Sequence, residues 1–240
     1  MNKTIDRCVW FPALLSVAIN AILLSFYFLN TLVFESEVLI YIIHFLSEML
    51  TTALPVIIAA ALSIICKRKR LRDSFLWAIL YAFINAIYII PPIFTSGYET
   101  QGELLIILIQ SLFSVLIAYI EYVLLFLLII FIQRKFAKDS DANQIKITSV
   151  RNAFSDFSNP YVLAVFCAAC ARSLCNIILE IISTVDYFIR YQGSYRFDEI
   201  IYIAASYIVI LASLFISHAA VLYVSKIIVK NEEITEMQQS

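Results

Sequence analysis

Apolar residues in this chain neither alternate with a strand's period of two nor keep to one face of a helix. They come in six long runs, Val9–Val33, Val38–Ile65, Ser74–Thr95, Leu104–Ile132, Pro160–Tyr187 and Ile201–Ile228. Each is longer than the roughly 20 residues with which an α-helix, rising ~1.5 Å per residue, crosses ~30 Å of hydrocarbon. Strands of a membrane barrel would be segments of about 10 residues with alternating polarity, a pattern absent here. All three glycines, Gly97, Gly102 and Gly193, fall between the runs. The first run lacks a small-residue cleavage site and reads as a span, not as a cleaved signal. The expected fold is all-α: a single transmembrane domain over residues 1–240 with six transmembrane helices.

Composition agrees with that pattern. Hydrophobic residues make up 62% of the chain and charged residues 15%, against about 45–50% and about 25% in soluble domains. A soluble sphere of this size lacks the polar cover for so much apolar surface. A soluble enzyme, a disordered chain and a secreted disulfide scaffold are thereby excluded. The formal net charge of −1 gives no field that would draw in nucleic acid, and none is expected as a partner.

The distribution of Lys and Arg predicts orientation. Fourteen of the 17 basic residues lie at the N-terminus, in the connections after the second and fourth runs, and near the C-terminus. They include Lys67–Arg70, Arg72, Arg134, Lys135, Lys138, Lys146 and Arg151. Positive charge is retained on the cytoplasmic side, so both termini are expected there. No sorting signal is present, which makes a bacterial cytoplasmic membrane the default location. The Lys67–Arg72 cluster is a topology determinant that could also meet anionic lipid headgroups.

A shift of 65 residues superposes Arg7 on Arg72, Ala13 on Ala78, and Ile19-Asn20-Ala21-Ile22 on Ile84-Asn85-Ala86-Ile87. A shift of 66 pairs Glu37 with Glu103 and Arg68 with Arg134. This reads either as coincidence in a chain rich in Ile, Leu and Ala or as a repeated helical hairpin, three copies in all, with the last diverged. The cytoplasmic connection at 133–159 contains Ile147, Val150, Phe154 and Phe157 at helical spacing beside Lys146 and Arg151. That is a short amphipathic helix, suited either to the headgroup layer or to docking a cytosolic partner along 144–157. The acidic tail 231–240 is expected to be disordered.

The residues that the bilayer makes expensive are the informative ones. A charge at the centre of a transmembrane helix costs about 2.5–3.5 kcal/mol on insertion scales. Glu48, Glu121 and Arg172 lie 10 to 12 residues inside their runs, a depth of about 15–18 Å. Their signs and depths allow Arg172 to meet one or both carboxylates in the bundle interior. Polar residues recur at helical spacing beside them. Ala164, Ala168, Arg172, Asn176, Glu180 and Thr184 form one stripe, and His44, Glu48, Thr51 and Pro55 another. Gln110, Ser114 and Glu121, then Ser206, Ser213, Ser217 and the adjacent His218, then Tyr81 and Asn85, supply more. Such stripes cannot all face lipid.

Two readings follow: interhelical hydrogen bonds around a fixed ion pair, or a wet interior that binds a solute or passes a proton. The second leads, with Glu48, Glu121, Arg172, His44, Asn176 and His218 as candidate substrate or ion ligands. Glu48 and Glu121 are the candidate proton- or cation-handling carboxylates, and Arg172 the counter-charge or the anchor for an anionic solute. The function expected is a small multi-pass transporter or transporter subunit. The alternative is a non-catalytic membrane subunit that docks a cytosolic partner; an intramembrane enzyme comes third. Cys167-Ala-Ala-Cys170 resembles a redox pair but sits inside an apolar run without an activating helix N-terminus. No hydrolase, zinc-protease or phosphate-loop motif occurs, and no catalytic residue, metal or cofactor is expected.

Overall fold

The structure, a computed structural model, describes residues 10, 12–15, 17–19, 21, 22, 25, 37–68, 70–86, 101–136, 159–190 and 203–219. Among these there are helices and no strands. The helical positions between 10 and 25 are designated α1. Then follow α2 (Glu37–Arg68), α3 (Leu71–Ala86), α4 (Gln101–Phe136), α5 (Pro160–Arg190) and α6 (Ile203–Ala219). Three contain stretches long and apolar enough to cross a membrane: Met49–Lys67 in α2, Leu108–Phe136 in α4 and Pro160–Asp186 in α5. α6 is a shorter apolar helix. The amphipathic segment expected at 144–157 and the tail 231–240 lie outside the described residues.

Local chemistry accounts for several helix ends. Asn159 caps α5: its side-chain oxygen accepts from the Tyr161 N–H at 2.9 Å and its carbonyl from the Leu163 N–H at 3.1 Å. Pro160 then occupies the first helical position, where its missing N–H costs nothing. Asp73 sits in the first turn of α3, and Arg134 and Lys135 in the last turn of α4, each matched in sign to the helix dipole. α4 starts at Gln101, three residues before the predicted run, so Gly102 falls in its first turn and not between helices.

α2 and α4 pack together as a central pair, flanked by α3 and α5, each of which touches both. Every residue of α2 from Thr52 to Ile65 is buried, as a helix apolar on all sides requires. α4 buries one seam, Tyr122, Leu125, Phe126, Ile129 and Ile132, and exposes Leu112, Phe113, Leu116, Ile117 and Leu124. The Ser74 hydroxyl donates to the Leu62 carbonyl at 3.1 Å, tying α3 to α2. Phe75 meets Phe126 edge-on at 6.0 Å, tying α3 to α4. Trp10 meets Trp77 edge-on at 5.9 Å and brings α1 against α3. Ala13 and Ala78, which the 65-residue shift superposes, are both buried.

The register of α5 on α2 follows from two contacts. Lys67 Nζ lies 6.0 Å from the centre of the Tyr161 ring, and Asn176 hydrogen-bonds to Thr52. Fifteen residues separate the contacts on each helix, so the two run antiparallel in step. The end of α2, the start of α3, the end of α4 and the start of α5 therefore share one end of the bundle. Lys67, Arg70, Arg72, Arg134 and Lys135 are all exposed there.

Candidate functional site

Arg172 and Glu121 occupy nearly the same place in their helices. Glu121 lies 13 residues after Leu108 and 15 before Phe136; Arg172 lies 12 after Pro160 and 14 before Asp186. Both charges thus fall at the midpoint of an apolar stretch that matches a bilayer in length. The structure brings them together, with Arg172 Nε 2.7 Å from Glu121 Oε1. The contact is one of charge and not an aligned hydrogen bond, for neither atom has a hydrogen-bond partner among the described residues. The two side chains keep 19% and 23% of their surface exposed.

Two neutral pairs flank it. Asn176, one helical turn beyond Arg172, donates to the Thr52 hydroxyl at 2.6 Å and joins α5 to α2. Asn85 donates to the hydroxyl of Tyr122, the neighbour of Glu121, and joins α3 to α4. A polar layer about one turn thick therefore links four helices across an otherwise apolar core. The stripe on α5 faces this layer. Ala164 and Ala168 are buried and Arg172, Asn176, Glu180 and Thr184 half-buried, whereas Leu174, Cys175, Ile178, Leu179, Ile181, Ile182 and Val185 are exposed.

Other candidates are placed differently. His44 and Glu48 belong to α2, but their side chains lie outside what is described. The register sets the backbone of Glu48 level with Glu180, eight residues from the level of Arg172 and so about 12 Å along the axis. His218 is fully buried, its ring edge-on to Phe166 at 5.3 Å. Phe166 is six residues before Arg172, about 9 Å along α5, so His218 belongs to a neighbouring layer. The α6 serines are buried, but Ser213 donates to the Val209 carbonyl at 2.7 Å and Ser217 to the Ser213 carbonyl at 2.5 Å. Their hydroxyls serve their own helix. On α4 the expected stripe does not turn inward as a whole. Gln110 and Ser114 are exposed, and Ser114 donates to the Gln110 carbonyl at 3.0 Å.

Two contributors were not singled out by sequence reasoning, Thr52 and Tyr122. Thr52 stands one turn from Glu48, a spacing that could have found it, whereas Thr51, chosen instead, is exposed. Tyr122 has no signal beyond its place next to Glu121. Cys66, Cys167 and Cys170 are half-buried free thiols and Cys175 an exposed one. No cluster of three metal-ligating side chains occurs among the described residues.

The layer combines one guanidinium, one carboxylate, two amides and two hydroxyls at the depth where water is scarcest. Such a set can bind an anion or hold a proton, and it lacks a paired nucleophile and base for covalent chemistry. No protein-family model matches the chain, and neither the curated proteins nor the solved structures contain a match to it.

Proposed function

We propose that the chain is a small multi-pass membrane transporter, or the membrane subunit of one, in which Arg172 anchors an anionic solute. In this reading six spans form three hairpins, both termini are cytoplasmic, and the membrane is the bacterial cytoplasmic one. The observation that carries the reading is the Arg172–Glu121 contact at the centre of two apolar helices, 2.7 Å long and still partly open. Ionisable residues at this depth mark substrate or proton pathways by default, since their cost is otherwise unrepaid. A guanidinium is the natural anchor, because its five donors lie in a planar fork that matches a carboxylate or phosphate.

The test is uptake of radiolabelled lactate, succinate, glutamate and phosphate into proteoliposomes containing the full chain. The wild type takes up at least one of them. Arg172→Gln, checked for monodispersity, lowers that uptake by at least about tenfold, since losing a hydrogen bond to a charged group costs about 1.5–3 kcal/mol. Uptake of none of the four by the wild type, or equal uptake by Arg172→Gln, overturns the proposal.

A further inference from the structure

Resting on that reading, the pair's geometry carries a rule for coupling. Arg172 is the one basic residue away from the helix ends in the described parts of α2 to α6. Its charge is already matched by Glu121 at 2.7 Å. No other Lys or Arg among the described residues lies at this depth, so an anion reaching it competes for the same guanidinium. The contact it displaces is a charge contact without an aligned hydrogen bond, and both partners retain exposed surface, so a second carboxylate can approach.

We propose that Glu121 is the resident carboxylate of an exchange. The incoming anion takes Arg172, and Glu121, left without a counter-charge in a low-dielectric layer, takes a proton from water. One O–H bond forms on the carboxylate as hydronium gives up its proton and leaves water, no electrons are transferred, and with a monoanion the net charge of the layer is unchanged. Each monoanion therefore enters with one proton. Such neutrality is what the surroundings demand, because an unpaired charge at mid-bilayer depth is strongly disfavoured.

Among the described side chains, the neighbours offer no other carboxylate for that role. α5 faces Glu121 with Arg172 itself. α3 contributes Asn85, bonded to Tyr122, and Tyr81 one turn earlier. α2 has no ionisable residue from Thr52 to Ala60. On α4, Tyr119 and Tyr122 flank Glu121, and neither carries a carboxylate.

The experiment measures binding and proton uptake together on the full-length protein in detergent. The probes are lactate, succinate, glutamate and phosphate, with a pH-indicator dye in weak buffer. For an anion that the wild type binds, about one proton is taken up per anion bound. Its affinity falls as pH rises, by up to about tenfold per unit. Glu121→Gln binds the same anion with no proton uptake and a flat pH profile, and Arg172→Gln does not bind it. Binding by the wild type without proton uptake, or an unchanged pH profile in Glu121→Gln, overturns the exchange and leaves the anion-transporter reading standing. Failure of the wild type to bind any of the four overturns both. The wild-type proton count decides the matter even where Glu121→Gln does not fold.

Discussion

The Asn176–Thr52 hydrogen bond is the most specific statement that the fold makes about single residues, because it fixes the register of α5 on α2. In an apolar slab a bond of this kind is not worth its vacuum strength, since the unfolded chain in the membrane also finds partners. The measured mean is about 0.6 kcal/mol and the largest about 1.7 kcal/mol. A double-mutant cycle of Thr52→Val and Asn176→Leu, read by reversible unfolding in bicelles, should give a coupling energy within that range. A coupling near zero would show that the two side chains do not meet. Arg172 and Glu121 were legible in the sequence because the bilayer makes each an anomaly. Thr52 was not, since a threonine is cheap in a helix and its neighbour Thr51 has the same chemistry on the exposed side. Only the rotation of α2 separates the two, and a run apolar on every face leaves that rotation unspecified.

At the scale of the helix, hydropathy identifies what can enter a membrane but not which face turns to protein. Lipid tails are as apolar as leucine, so interfaces are chosen by fit, with small residues letting backbones approach. α4 shows the consequence: Leu124 is exposed and Leu125 buried, one residue apart and chemically identical. The cue that did survive in sequence is size. Ala59, Ala60 and Ala61 in α2 and Ala164, Ala168 and Ala169 in α5 are all buried, and the register sets Ala60 level with Ala168. Enlarging either to leucine forces the helices apart. Ala60→Leu or Ala168→Leu should destabilise the bundle by about 1–3 kcal/mol, seen as a lower thermal midpoint of the detergent-solubilised protein. Leu116→Ala, on the exposed face of α4, should stay within about 0.5 kcal/mol of wild type. If the alanine substitutions are silent, the α2–α5 interface is elsewhere.

For the whole molecule, the informative asymmetry lies between its two ends. Lys67, Arg70, Arg72, Arg134 and Lys135 come from three helices and the connection between α2 and α3, yet the fold gathers them at one end. This placement needs antiparallel packing of consecutive helices, which the Lys67–Tyr161 and Phe75–Phe126 contacts provide independently of charge. Cytoplasmic loops retain positive charge, so this end is the one expected to face the cytoplasm. Single-cysteine variants in a background without the five native cysteines test that orientation directly. Arg70→Cys and Lys135→Cys should react with a membrane-impermeant maleimide only after the cells are opened. Ile189→Cys, exposed at the far end of α5, should react in intact cells. Labelling of position 70 or 135 in intact cells would invert the molecule. The exchange at Arg172 and Glu121 would survive that inversion, because its midpoint depth is the same from either side. A proton gradient would also drive the anion the same way, since each anion moves with its proton toward the side of lower proton potential whichever end of the protein faces it.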